Sequence, residues 1–122
     1  METRIGTCHC GAVRFEVDLE EGLSNLRRCN CSLCRRKGAI MASVPIERLR
    51  VVAGIDKLTL YQWNTRQARH YFCSVCGIYT HHQRRSNPRE YGFNVACIDS
   101  VDPFALGPIA VGDGAAQSLV TP

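Results

Sequence analysis

The chain has 122 residues, a length that fits one domain with one hydrophobic core. Its net charge of +4 is too modest to indicate a nucleic-acid-binding surface, and its weakly polar stretches are far shorter than the roughly 20 residues of a membrane-spanning helix. Eight cysteines in so short a chain indicate either disulfides or metal sites. Because residues 1–6 form no apolar segment of signal-peptide length, we expect a reducing, cytoplasmic location, where cysteines stay free to bind metal.

Short runs of alternating polarity, separated by turn residues, predict an all-β fold with little helix. The run over residues 12–18 places Val13, Phe15 and Val17 on one face of a half-buried strand. Further strands are predicted over residues 40–44, 50–53, 58–63, 68–72, 78–82 and 91–98. Helical turns are predicted over residues 32–37, 45–49 and 101–104. We therefore expect one β domain over residues 1–106 and a coil tail over residues 107–122, which is rich in Gly, Ala and Pro.

Two pairs of cysteines can form one closed metal site. Cys73 and Cys76 flank a short turn between two predicted strands, which is the arrangement of a zinc knuckle. Cys8 and Cys10 supply a second pair. Four sulfur ligands are typical of structural zinc, so we expect this site to join the N-terminal strand to the middle of the chain.

The cluster of Cys29, Cys31 and Cys34 has no second pair of cysteines to complete it. Three protein ligands with an open fourth position are typical of catalytic zinc, where a water or a substrate atom binds. The alternative is an inert site whose fourth ligand comes from another side chain: Cys97, His70, His81 or His82. The spacing of the residues leaves both interpretations open.

Cys97 lies in an apolar predicted strand, where a lone cysteine is more often a small core residue than a nucleophile. His81 and His82 are adjacent in a predicted strand, so only one of them can face a given pocket as a general acid or base. Hydrogen bonding near the metal thiolates is the alternative role for such a histidine.

Four sequence blocks follow one another along the chain: CHCGAVRF from Cys8, CNCSLCRRKG from Cys29, YQWNT from Tyr61 and ARHYFCSVCGIYTHH from Ala68. Together they resemble the glutathione-dependent formaldehyde-activating enzyme family, which also includes centromere protein V, over about Thr7 to Asp99. The resemblance implies an Mss4-like β fold with two zinc ions per chain. It places a structural zinc and a catalytic zinc on two sets of ligands: Cys8, Cys10, Cys73 and Cys76 for the first, and Cys29, Cys31 and Cys34 for the second.

The resemblance also implies a reaction, the condensation of formaldehyde with glutathione to S-hydroxymethylglutathione, which is formally carbon–sulfur lyase chemistry in reverse. Glutathione carries two carboxylates, and the candidate cations to bind them are Arg35, Arg36, Lys37, Arg69 and His70. We expect a small thiol and an aldehyde as partners, and neither a membrane nor a nucleic acid. A non-catalytic zinc scaffold or interaction module is the alternative function, and thiol-based sensing of formaldehyde or metal is a third.

Overall fold

The structure is a computed structural model and describes residues 1–117. Ten strands, β1 to β10, lie within this part of the chain: Glu2–Thr7, Arg14–Leu19, Arg27–Cys29, Met41–Pro45, Leu49–Ala53, Leu58–Tyr61, Arg69–Cys73, Tyr79–Gln83, Glu90–Asn94 and Ala110–Gly112. One α-helix, α1, spans Ser32–Lys37. Short 3-10 turns occupy Ile46–Arg48, Ile55–Lys57, Val95–Cys97, Pro103–Ala105 and Gly114–Gln117. Over residues 1–117, no helix has the length and apolar character needed to cross a membrane.

The strands form two sheets that share one large hydrophobic cluster. β1, β2 and β5 form a three-stranded antiparallel sheet, and the other seven strands form a sheet in the order β10-β3-β4-β9-β8-β7-β6. Phe15 and Val17 from the small sheet pack in the same cluster as Val44 and Phe93 from the large one. Truncating a fully buried aromatic ring such as that of Phe15 to alanine typically costs roughly 3–5 kcal/mol. Gly6 allows this ring to lie against β1, because a Cβ at residue 6 would overlap the ring.

The all-β prediction is confirmed, since the predicted strands are present with their ends shifted by one to a few residues. The alternation expected over residues 12–18 is also confirmed, because Val13, Phe15 and Val17 are buried while Arg14 is exposed. The prediction over residues 91–98 is wrong in its second half, where β9 ends at Asn94. The Asn94 side chain accepts a hydrogen bond from the Ala96 N–H at 3.2 Å, which favours a 3-10 turn over continued strand.

The segment after residue 106 differs from the predicted coil because it contains strand β10. β10 pairs with β3, and this is the one parallel pairing among the described strands. All three residues of β10 are exposed, so the sequence carries no alternating pattern there, and the strand is formed by main-chain hydrogen bonding instead. The last part of the expected tail, residues 118–122, lies outside the described residues.

Candidate functional site

The structure brings together the sulfur atoms of four cysteines from two segments of the chain, all within 4.8 Å of one another: Cys8, Cys10, Cys73 and Cys76. The Sγ atom of Cys10 lies 3.7 Å from that of Cys8 and 3.7 Å from that of Cys73. Four ligands at the usual zinc–sulfur bond length form a tetrahedron with edges of about 3.8 Å, so this donor set fits one metal ion.

Main-chain groups around the four-cysteine site stabilise thiolates. The Val13 N–H donates to Cys8 Sγ at 3.3 Å, and the Val75 N–H donates to Cys73 Sγ at 3.4 Å. Hydrogen bonding from the Cys10 backbone lowers the pKa of Cys76 to about 6. The turns that carry the cysteines therefore also supply donors to the sulfur atoms, which is typical of a metal–thiolate site.

A second group consists of Cys29, Cys31 and Cys34, whose sulfur atoms also lie within 4.8 Å of one another. Cys29 is the last residue of β3, and Cys31 caps helix α1, its sulfur accepting a hydrogen bond from the Cys34 N–H at 3.3 Å. The strand-to-helix junction thus points three thiols at one place. Hydrogen bonding with Cys34 lowers the pKa of Cys29 to about 5, while it raises the pKa of Cys34.

Within residues 1–117, the three-cysteine group contains no fourth cysteine, histidine or carboxylate. Cys97 is buried in the core, where its Sγ lies 3.7 Å from the Tyr79 carbonyl oxygen and burial raises its pKa to about 12. His81 stacks on the Tyr71 ring at a centroid distance of 4.8 Å. Cys97 and His81 therefore occupy structural positions, and the described group consists of three thiols that could bind a metal ion.

Two adjoining cavities lie beside the three-cysteine cluster. The first, of about 110 Å³, is lined by Cys29, Cys31, Trp63, Asn64, Thr65, Ala68, His70, Arg85 and Gly114. The second, of about 270 Å³, has Cys29 and Cys34 in its wall together with four arginines: Arg27, Arg28, Arg84 and Arg85. Cys29 and Gly114 belong to both walls, so the thiol cluster lies where the two cavities meet.

The cations beside the cluster differ from those expected from the sequence. Arg35, Arg36 and Arg69 are exposed and line neither of these two cavities, because α1 directs the two arginines after Cys34 outward. The cavity cations instead come from two pairs of neighbouring arginines, Arg27 and Arg28 in β3, and Arg84 and Arg85 after β8. The sequence signal for Arg27 was its position two residues before Cys29, which places both on the same face of a strand.

A buried polar network lies next to the first cavity and contains three of the sequence candidates, Lys37, His70 and His82. Lys37 Nζ lies 3.3 Å from His70 Nδ1 and 3.5 Å from the centroid of the Tyr79 ring. Burial lowers the pKa of His70 to about 4, so this imidazole is neutral near pH 7. The His82 ring stacks on His70 at a centroid distance of 5.2 Å, and its Nδ1 lies 2.5 Å from the Tyr79 hydroxyl. The network holds the His70 ring in a fixed orientation at the cavity wall.

A family model described as the glutathione-dependent formaldehyde-activating enzyme matches residues 3–110 of this chain. A crystal structure of a Rhodobacter sphaeroides protein is similar, with 58% sequence identity, a TM-score of 0.86, and coverage of 88% of this chain and 99% of that one.

Two curated relatives carry the provisional name of glutathione-dependent formaldehyde-activating enzyme. The relative from Halomonas elongata is 38% identical over 80 residues, which cover 58% of this chain and 50% of the relative. The relative from Penicillium rubens is 30% identical over 76 residues, which cover 59% of this chain and 39% of the relative. The matched part of the chain thus spans half or less of the length of these two relatives.

Proposed function

This chain belongs to the glutathione-dependent formaldehyde-activating enzyme family, with its Mss4-like β fold, and from that premise we propose that it is a zinc-dependent carbon–sulfur lyase. Its substrate is a small thiol–aldehyde adduct, and the thiol and aldehyde are glutathione and formaldehyde. The observation that carries the proposal is the position of Cys29, Cys31 and Cys34 in the walls of two cavities, one of which is lined by guanidinium groups.

The proposal includes two zinc ions per chain. Thiolate ligands select zinc among the common divalent metals, and the sulfur–sulfur distances of 3.7 Å support this choice at the four-cysteine site. We assign a structural role to that site and a catalytic role to Cys29, Cys31 and Cys34. Cys29, Cys31 and Cys34 would hold a zinc ion there, and the ion would supply a lowered pKa to an added thiol, which would favour the thiolate near pH 7. A reducing, cytoplasmic location suits eight cysteines that are all free in the structure.

The arginines of the second cavity bind the carboxylates of glutathione in this proposal. Arg27, Arg84 and Arg85 lie in one cavity wall with Cys29 and Cys34. A guanidinium group forms two parallel hydrogen bonds with a carboxylate, which fixes direction as well as affinity. A bound tripeptide would therefore have its carboxylates at the arginines and its sulfur toward the cysteines.

His70 supplies the hydrogen-bond donor for the aldehyde oxygen. Its Nδ1 faces the Lys37 ammonium at 3.3 Å and accepts from it, so the ring carries its proton on Nε2. In the forward reaction the thiol loses its proton to solvent, the thiolate sulfur attacks the aldehyde carbon, the carbon–sulfur bond forms as the carbonyl π bond breaks, and the oxygen takes up a proton from solvent. In the reverse reaction the hydroxyl group gives its proton to solvent, the carbon–sulfur bond breaks, and the aldehyde leaves together with a thiolate that takes up a proton.

Exchange NMR of glutathione, formaldehyde and their adduct tests this function. The native protein at micromolar concentration is expected to accelerate interconversion over the spontaneous rate, and Cys31→Ser to abolish the acceleration. Cys97→Ala is the matched control, because Cys97 is buried in the core and lies outside the three-cysteine group. Absence of acceleration by a zinc-loaded native protein would refute catalysis and favour the alternative, a non-catalytic zinc scaffold.

A further inference from the structure

A short C-terminal segment, residues 112–116 and here called the cap, lies against the three-cysteine cluster. Asn30, the residue between Cys29 and Cys31, makes three hydrogen bonds to it. The Asn30 main-chain N–H donates to the Gly112 carbonyl oxygen at 3.1 Å. Its side-chain Nδ2 donates to Asp113 Oδ1 at 3.1 Å, and its Oδ1 accepts from the Ala115 N–H at 2.9 Å.

The two side-chain hydrogen bonds of Asn30 fix the position of Gly114. Gly114 follows Asp113 and precedes Ala115, so the side chain of Asn30 holds it from both sides. A Cβ at residue 114 would overlap Cys29 Sγ and would lie 3.2 Å from Cys31 Cβ. Gly114 lines both cavities beside the cluster. Only a glycine permits the main chain to approach the sulfur of Cys29 this closely.

We propose that the cap is a working part of the three-cysteine site, in which Asn30 is a positioning residue and Gly114 forms the wall that restricts Cys29 to small reagents. The role in substrate selection rests on the proposed function, because it assumes that a thiol or an aldehyde must reach the cluster. The placement of the cap itself does not depend on catalysis. The cysteine cluster is therefore covered by a segment that lies far from it in the sequence.

Alkylation of the protein as purified, with its metal bound, tests the proposal. Iodoacetamide and a bulky maleimide serve as a small and a large probe, and peptide mass spectrometry reads the rate at each cysteine. Asn30→Ala removes both side-chain bonds to the cap. We expect Cys29 to react with the maleimide roughly 5- to 30-fold faster, the factor for one or two ordinary hydrogen bonds. The rate with iodoacetamide should change less. A larger change with the bulky probe than with the small one shows that access to Cys29 has increased, and not the reactivity of its sulfur.

The chain offers controls for this experiment. Gly114→Ala forces the cap away from Cys29 and should act like Asn30→Ala. Gly112→Ala keeps the main-chain carbonyl that accepts from the Asn30 N–H, and its new Cβ lies 3.8 Å from the nearest foreign atom, so both alkylation rates at Cys29 should stay near native. Cys8 and Cys10 belong to the other cluster and report global unfolding in the same sample. Asn30→Asp alone sets two carboxylates against each other without a donor and should act like Asn30→Ala. Adding Asp113→Asn restores the side-chain bond with its direction reversed, so the double variant should return Cys29 to the native rate.

The outcomes separate the possibilities. Faster maleimide reaction at Cys29 alone, with rescue by the double variant, supports the cap. An unchanged rate in Asn30→Ala and Gly114→Ala overturns it, and so does an equal increase at Cys8 that the double variant fails to reverse. Alkylation needs no turnover, so a protein that passes this test but fails to accelerate adduct exchange would refute the proposed function and leave the cap intact.

Discussion

Arg85 should decide how strongly the site prefers a thiol that carries carboxylates. This half-buried side chain lines both cavities beside the cluster, whereas Arg35 is exposed and lines neither. We expect Arg85→Gln to raise the KM for glutathione while leaving the KM for 2-mercaptoethanol, which has no carboxylate, unchanged. Arg35→Gln has the same charge change one residue after the cluster and should affect neither substrate.

The size of the effect follows from the exposure of Arg85. A hydrogen bond to a charged group contributes about 1.5–3 kcal/mol when it is well shielded, and an exposed ion pair contributes about 0.2–1 kcal/mol. A half-buried guanidinium lies between these limits, at roughly 1–2 kcal/mol, which corresponds to a 5- to 30-fold rise in KM. Exchange NMR at several thiol concentrations measures it. An equal loss with both thiols, or an equal effect of Arg35→Gln, would refute the assignment of the arginine cavity to carboxylates.

The other predictions concern metal, packing and pH. Cys76→Ser should lose one zinc per chain and unfold in mild urea, whereas Cys31→Ser should lose one zinc and stay folded, as zinc content and circular dichroism will report. Gly54→Ala strains a positive φ and places a Cβ against the Ala12 carbonyl, so it should lower the free energy of unfolding in urea by about 2–5 kcal/mol. Gly22→Ala, where φ is also positive but the space is open, should lower it by about 1–2 kcal/mol. Burial lowers the pKa of His81 to about 4, so the unfolded chain takes up a proton first as the pH falls below about 6.5. His81 should therefore contribute a loss of stability of roughly 1.4 kcal/mol per pH unit down to its folded pKa, and His81→Phe should make the slope shallower by that amount in urea titrations between pH 7 and pH 4, while the contribution of His70, whose pKa is also about 4, remains.

The parts of the fold that the sequence predicted are those with local patterns. Phe15 and Val17 are two residues apart and both are buried, so alternation alone identified their strand. The strand Ala110–Gly112 could not be predicted in this way, because its side chains are all exposed and its main chain pairs with a strand more than 80 residues earlier. Tertiary hydrogen bonding, which has no local sequence signal, forms that strand.

The candidate site also has a part that the sequence predicts and a part that it does not. The spacing of Cys29, Cys31 and Cys34 places the three thiols on one strand-to-helix junction, so their grouping has a local cause. The cavity cation Arg85 comes from the loop after β8, and no spacing relates it to the cluster. The sequence directed attention to Arg35 instead, since adjacency in sequence was the only measure of proximity that it offered. Adjacency fails there because the helix turns that side chain toward solvent.

The number of residues between the cysteines of each group supports the proposal that one group is structural and the other catalytic. Cys10 and Cys73 lie 63 residues apart in the sequence, whereas Cys29 and Cys34 lie five residues apart. The entropy that the unfolded chain loses when a loop is closed grows with the length of the loop. Closing a loop of 63 residues therefore costs the unfolded chain about 2 kcal/mol more than closing a loop of five residues. A metal ion at the four-cysteine site therefore removes much freedom from the unfolded chain and stabilises the fold. A metal ion at the three-cysteine cluster removes little, because one strand end and one helical turn already hold its ligands, so that site can exchange a ligand with a small effect on the fold.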